Sequence, residues 1–260
     1  MTNNTETWAI IQARMGSSRL PGKVLRPLAD IPALVHVVER TRAIEGVSRV
    51  IVATSTAPLD DPIEALVSEW FDDIAVVRGP EDDVLARYVL ALGDDPPPYF
   101  VRVTGDSPLM SFEHASAMLK TLIESGADGA NAHHQHTGLT TGLGSEAYRT
   151  QALFDAHRHA TSRSDREHVT TWIKRSPRHF VLYPEPVPTL ASDLRLTLDY
   201  PQDYHVVSRV YVDLHRGGGD SVRACRELPS RAPRSGGHQR SLRAQHRGVT
   251  LEPRDRGAER

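Results

Sequence analysis

The stretch Trp8–Leu25, WAIIQARMGSSRLPGKVL, decides how the chain is read. An apolar run, Trp8-Ala9-Ile10-Ile11, gives way to a loop holding Ala13, Arg14, Gly16, Ser17, Ser18 and Arg19, and Pro21-Gly22 turns the chain before Lys23. The run predicts a buried strand and the loop an anion site. Glycine admits a ligand close to the backbone, N–H and hydroxyl groups donate to phosphate oxygens, and the cations neutralise several negative charges together. A nucleoside triphosphate suits that chemistry. The spacing matches neither the phosphate loop of P-loop enzymes nor the GxGxxG of dinucleotide folds. An ordinary surface loop has the same composition, so the rest of the chain must decide.

Working outward, the residues from Pro32 to Ile44 place Leu34, Val37, Val38, Thr41 and Ile44 at helical spacing. Arg49–Ser55 reads as a β-branched strand, Asp61–Trp70 as a helix with an early proline, Ile74–Val77 as a third strand, and the residues up to Leu92 as a helix. Tyr99–Thr104 is a fourth strand, 111–125 a helix and Thr150–Thr161 another. Strands alternating with helices, without hairpin turns, predict an α/β fold with a mostly parallel twisted sheet flanked by helices. Ligands in such sheets sit at the carboxyl ends of the strands. The opening loop, Arg78–Asp83 and Gly105-Asp106 all fall there.

Two carboxylates follow strand-like segments. Asp106 lies in Thr104-Gly-Asp-Ser-Pro-Leu109, and Asp199 follows Leu194-Arg-Leu-Thr-Leu198, read as a final alternating strand. Each has two readings, a helix cap or a magnesium ligand, and a neighbouring triphosphate loop favours the metal for Asp106. Ala132-His-His-Gln-His-Thr137 lacks the i,i+4 geometry and supporting partners of a histidine metal site and reads as a polar loop. Thr140-Thr-Gly-Leu-Gly-Ser-Glu-Ala-Tyr148 is Gly-rich, and Pro184–Pro188 reads as a Pro-rich connection.

The 260 residues suit one domain with an appendage. The net charge of −2 conceals an asymmetry. Residues 216–260 hold 11 arginines, no lysine and 5 acids, whereas residues 1–215 hold 20 basic against 28 acidic side chains. The acidic balance of residues 1–215 does not suit nucleic-acid binding, and the Arg-rich segment has no aromatic residues to interleave, so it reads as a disordered tail. The single cysteine, Cys225, excludes an internal disulfide. The opening MTNNTETWAII has neither a basic region nor a long apolar segment, so neither a signal peptide nor a membrane span is expected, and a cytoplasmic location is.

Taken in order, IIQARMGSSRLPGKVLRPL, VIVATS, RGPEDDVLARY, VRVTGDSPL, DREHVT and DLRLTLDYPQD resemble the sugar-activating cytidylyltransferases, especially the spore-coat polysaccharide biosynthesis protein F-type branch, over about residues 8–214. The wider group includes acylneuraminate and 3-deoxy-manno-octulosonate cytidylyltransferases. The resemblance implies a nucleotide-diphospho-sugar transferase (GT-A-like Rossmann) fold, a magnesium-dependent transfer of CMP from CTP to an acidic sugar or related acceptor, and commonly a homodimer. Residues 1–215 would form the catalytic domain, with about 131–190 contributing acceptor and dimer segments.

By position, the resemblance assigns Arg14 and Lys23 to charge stabilisation and Asp106 and Asp199 to magnesium. Ala13, Gly16, Ser17, Ser18, Arg19 and Thr104 would hold the nucleotide, and Arg78, Asp82 and Arg87 fall in the nucleoside-facing segment. Glu146, Arg166 and His168 would face the acceptor. The chain departs from the family pattern at Gly144, where an acidic residue is usual, and in its Arg-rich end, which a shifted reading frame would produce. A nucleotide-sugar glycosyltransferase of the same fold, or a non-catalytic nucleotide-binding relative, are the alternative functions.

Overall fold

The computed structural model describes residues 6–131, 139–175, 178–181 and 194–216. In chain order its strands are β1 (Thr7–Gln12), β2 (Pro27–Leu28), β3 (Ile31–Pro32), β4 (Val47–Ser55), β5 (Ala75–Gly79), β6 (Tyr99–Thr104), β7 (Gly129–Asn131), β8 (Glu146–Arg149) and β9 (His179–Val181). The main sheet has the order β5-β4-β1-β6-β8-β7-β9. β1 pairs in parallel with β4 and β6, and β5 in parallel with β4. Among the described strands of this sheet only β8 runs against the others, antiparallel to both β6 and β7.

The helices are α1 (Ala33–Arg42), α2 (Asp61–Trp70), α3 (Val84–Leu92), α4 (Phe112–Ser125), α5 (Thr150–His159), α6 (Arg163–His168), α7 (Thr171–Lys174) and α8 (Pro201–Arg216). Successive residues of the central strands face opposite sides, and both sides are covered. Ala9 and Ile11 of β1, Val50 and Val52 of β4, and Val101 and Val103 of β6 meet α1, α2 and α4 through Leu34, Val37, Ile63, Val67, Met118 and Leu122. Ile10, Ile51 and Phe100 point the other way, onto Leu85 and Tyr88 of α3, Leu153 of α5 and Ile173 of α7. Truncating a fully buried side chain such as Ile10 or Phe100 removes about 2–5 kcal/mol. Such runs, apolar at every position, mark strands buried on both faces.

A third cluster lies beside the sheet. Val207, Val210 and Tyr211 of α8 pack on Leu20, Leu28, Leu196 and Leu198. Tyr211 also donates its hydroxyl to Pro108 O at 2.7 Å.

Two expectations are corrected here. Leu194–Leu198 is not a sheet strand, because Leu196 and Leu198 face α8. It makes one bridge, Thr141 to Arg195, and is tied by Leu196 N to Thr141 O at 2.7 Å and Leu198 N to Asp106 O at 2.8 Å. The Gly-rich segment Thr140–Tyr148 runs into β8, which starts at Glu146. A hairpin does occur: β2 and β3 pair across Ala29 and Asp30, whose φ values of 48° and 67° supply the left-handed pair that a two-residue turn demands. The histidine loop at 132–137, the connection at 184–188, Cys225 and the Arg-rich segment beyond Arg216 lie outside the described residues.

Candidate active site

The opening loop is held by backbone bonds where it leaves β1. Ala13 N donates to Ala53 O at 3.1 Å, and Gly105 N donates to Gln12 O at 2.8 Å, so the ends of β1, β4 and β6 are bound together. Buried Asp60 accepts from Met15 N at 2.7 Å and from the Ser55 hydroxyl, which sets the loop's path. Gly22, at φ 65°, then turns the chain into a short 3-10 helix at Lys23–Leu25. Val24 anchors that helix in the core. The lysine is thereby aimed back over the sheet's carboxyl edge.

Lys23 Nζ lies 2.6 Å from Asp106 Oδ2 and 3.0 Å from Asp199 Oδ1. Neither carboxylate serves as a helix cap. The α4 cap is Ser111, and the amides of Asp199 and Tyr200 ahead of α8 are taken by Asp203 at 3.2 and 3.0 Å. Burial opposes ionisation of Asp199, but the Lys23 ammonium, the Thr197 hydroxyl and Arg195 more than offset it and hold its pKa below the usual carboxylate range. Arg19 closes the loop onto the same place, 3.5 Å from Asp199, with its guanidinium 4.5 Å from the Tyr200 ring centre.

Around this triad opens a crevice of about 550 Å3. Of the predicted residues, Ala13, Arg14, Gly16, Ser17, Ser18 and Arg19 line it, as do Lys23, Arg87, Thr104, Asp106, Asp199 and His168. Arg87 is 3% exposed, and its Nε has no hydrogen-bond partner among the described residues. Burial, joined by the charge of Arg14, pulls its pKa below the usual guanidinium value. His168 arrives at the end of α6, followed by Val169 at φ 61°, ψ −57° and a bond from Thr170 N to His168 O. This is the strained form of the three-residue turn, a conformation kept only where its surroundings enforce it.

Four predicted residues lie off this crevice. Arg78 turns toward α2, donating to Asp61 Oδ1 at 2.6 Å, Glu64 Oε2 at 3.1 Å and Ala57 O at 3.0 Å. Asp82 is solvent-exposed before α3. Arg166 is taken by Asp83, the α3 cap, and by His157 O at 2.9 Å, so it ties α6 to α3 and α5. Glu146 sits instead in the wall of a second pocket of about 150 Å3, which shares Arg102 and Thr104 with the crevice. There it accepts from Arg102 at 2.7 Å, from Thr170 at 3.0 Å and from Lys174. Burial pushes the Glu146 carboxyl upward, yet Arg102 and Lys174 bring its pKa down to about 2.

Sequence reasoning missed Gln12, Arg102 and Asp60. Gln12 Oε1 accepts from Arg102 Nε and Nη2 and from the Tyr88 hydroxyl, so Arg102 stands between the two pockets. A single arginine inside the apolar run VRV was the available signal for it. Among the described residues no group of three or more His, Cys, Asp and Glu side chains is placed to hold a metal ion, and no helix is long and apolar enough to cross a membrane.

Comparison with known proteins extends beyond this geometry. The chain is 34% identical over 209 residues to an uncharacterised protein of Methanocaldococcus jannaschii, covering 80% of the chain and 82% of that protein. It is 34% identical over 212 residues to the spore coat polysaccharide biosynthesis protein SpsF of Bacillus subtilis, covering 78% and 85%. In fold it resembles a cytidylyltransferase from Leptospira borgpetersenii at a TM-score of 0.74 and 22% identity, over 95% of this chain and 98% of that one. A CMP:2-keto-3-deoxy-manno-octonic acid synthetase complexed with CTP follows at 0.58 and 18%, over 80% and 99%. A family profile for cytidylyltransferases matches residues 8–217, and with the sheet order and the strand-end crevice already described, the chain belongs to the cytidylyltransferase family.

Proposed function

We propose that this chain transfers CMP from CTP to a hydroxylated, sugar-type acceptor and releases pyrophosphate, in the synthesis of a surface polysaccharide or related glycoconjugate. The observation that carries the reading is the ammonium of Lys23 held between Asp106 and Asp199 at the edge of a crevice lined by the Arg14–Arg19 loop. The polysaccharide setting rests on the likeness to SpsF, and an acidic sugar is the acceptor class that the family resemblance implies.

The crevice suits a triphosphate. Arg14 and Arg19 stand on one wall with Ser17 and Ser18, and Arg87 supplies a buried charge without an ion-pair partner among the described residues. An acceptor hydroxyl oxygen attacks the α-phosphorus, and its proton passes to solvent as the O–H bond breaks. The new P–O bond forms as the bond to the bridging oxygen of the β-phosphate breaks, and pyrophosphate departs with the electron pair. Lys23 and Arg14 neutralise charge on the departing group, a task worth most where water is excluded.

Asp106 and Asp199 fit magnesium: two carboxylates converging on one point supply the small, hard oxygen set that this ion takes alongside phosphate and water. When bound, the ion would polarise the α-phosphate and lower the pKa of an acceptor hydroxyl. Lys23 neutralises the same two carboxylates in its absence. The acceptor's remaining groups enter the second pocket across Arg102.

The test supplies the full chain with each nucleoside triphosphate, magnesium and a panel of sugar acids, neutral sugars and polyols. Pyrophosphate release with CTP alone among the nucleotides, abolished by chelation, is the expected result. CTP binding without release across the panel would leave a non-catalytic relative, and release that requires a nucleotide sugar would make the chain a glycosyltransferase. Light scattering in solution tests the homodimer that the family resemblance implies.

A further inference from the structure

Asp60 does not line the crevice, yet it holds the loop that does. It ends a short 3-10 helix, Pro58–Asp60, just ahead of α2, and is 3% exposed. Its Oδ2 accepts from Ser55 N at 3.3 Å and from the Ser55 hydroxyl at the end of β4, and its Oδ1 accepts from Met15 N at 2.7 Å. A buried carboxylate held by neutral donors alone is costly to a fold. Among the described residues no cation is within ion-pair distance of it.

Met15 is fixed at three points. Its side chain packs against the core, its N–H goes to Asp60, and its carbonyl accepts from Ser17 N at 2.9 Å and Gly22 N at 3.2 Å. The loop alternates as a result. The amides of Ala13, Met15 and Ser17 are taken within the protein, whereas no described residue takes those of Arg14, Gly16, Ser18 and Arg19, which are exposed and line the crevice. A Cβ on Gly16 would meet nothing within 4 Å. Backbone donors left free beside one another form an anion cradle. Asp60 also acts on the crevice wall: burial lowers the pKa of Arg87, and the charge of Asp60 works against that.

Resting on the reading that CTP fills the crevice, we infer that Asp60 is a positioning residue for the nucleotide's phosphates: it pins Met15, and so keeps the amides on either side of Met15 free for the triphosphate before CTP arrives. The entropy of ordering the loop is then lost on folding rather than on binding, which raises affinity without adding a contact to the ligand. Asparagine at this position would keep an oxygen for Met15 but not the charge.

The test titrates the full chain by calorimetry with CTP and with inorganic tripolyphosphate, and follows backbone amide exchange by NMR. Asp60→Ala is expected to weaken both ligands by about tenfold, the loss of one charge-assisted hydrogen bond. Exchange should quicken at Met15 and Ser17 while the amides of β1, β4 and β6 stay protected. Asp60→Asn is expected to weaken both ligands by about threefold, and it gives the reading should the alanine variant fail to fold. Unchanged affinities, unchanged exchange at Met15, weakening of CTP without tripolyphosphate, or protection lost equally across β1, β4 and β6 would overturn the inference. A parent chain that binds neither ligand would overturn it as well. The two readings fail separately: CTP held less tightly by the variants, with no pyrophosphate release from any acceptor, removes cytidylyl transfer and leaves Asp60 its task, while release with variants that bind CTP as the parent does removes only the inference.

Discussion

Arg87 and Arg102 are both largely buried, both line the crevice, and are treated in opposite ways. Arg87 keeps its Nε without a hydrogen-bond partner among the described residues, and burial together with Arg14 lowers its pKa. Burial opposes the charge of Arg102 as well, but Glu146 answers it and raises its pKa above the usual guanidinium value. The first is a cation left for an incoming anion; the second is neutralised in advance by the chain. One wall of the site therefore carries charge for phosphate, and the other carries hydrogen-bonding groups beside a closed ion pair. A helix, α3, and a strand, β6, thus bring two kinds of chemistry to one crevice.

Breaking the charged side should cost most. Lys23→Ala is expected to lower kcat for pyrophosphate release by about 1,000-fold, the upper range for removing one preorganised charge-stabilising donor. Asp106→Asn and Asp199→Asn are expected to lower kcat by about 100-fold or more. Calorimetric titration with manganese, a reporter independent of turnover, should show weakened binding in both.

The second pocket is broken through its backbone. Gly142 sits at φ 100°, and a Cβ there would lie 2.6 Å from the carbonyl carbon of Leu196. Gly142→Ala should therefore lose about 2–3 kcal/mol of stability in denaturant melts, with strain and the clash adding together.

Glu146 sharpens the same comparison by pH. Its folded pKa, about 2, lies below its unfolded value of about 4.5, so its contribution to stability is fully present above about pH 4.5 and is lost as pH falls toward 2. Melting profiles of the parent should decline across that window, and Glu146→Gln should flatten the decline while lowering stability at neutral pH. The smallest effect belongs to Arg78, whose ion-pair partners are exposed acids on α2: Arg78→Ala should leave the KM for CTP within about twofold and the melting temperature nearly unchanged.

The legibility of this molecule in its sequence follows from how locally each feature is encoded. Tyr99–Thr104 and Trp8–Gln12 were readable because double-sided burial makes most of their residues apolar, and α1 because its apolar residues Leu34, Val37 and Val38 recur at helical spacing. Asp106 and Asp199 were visible as carboxylates at the ends of such runs. β8 was hidden because four residues, Glu146-Ala-Tyr-Arg149, are too short to show a period, and their pairing is decided by β6 and β7. Leu194–Leu198 misled because alternation records one buried face without saying what buries it, and here α8 does. Arg166 and Arg78 carried the right charge for ligands and were claimed by Asp83 and by Asp61 with Glu64, partners that only the fold brings near.

Lys23 also has a history written into its contacts. Its two carboxylates lie 83 and 176 residues further along the chain, and the second is held by a helix packed outside the main sheet. Contacts of such separation form late, because the intervening chain must be ordered before they repay its entropy. The sheet can be complete while the charged centre is still half made. Competence thus arrives with the docking of α8, and a chain arrested during synthesis before Asp199 emerges would carry the phosphate loop without the pair of acids that it faces.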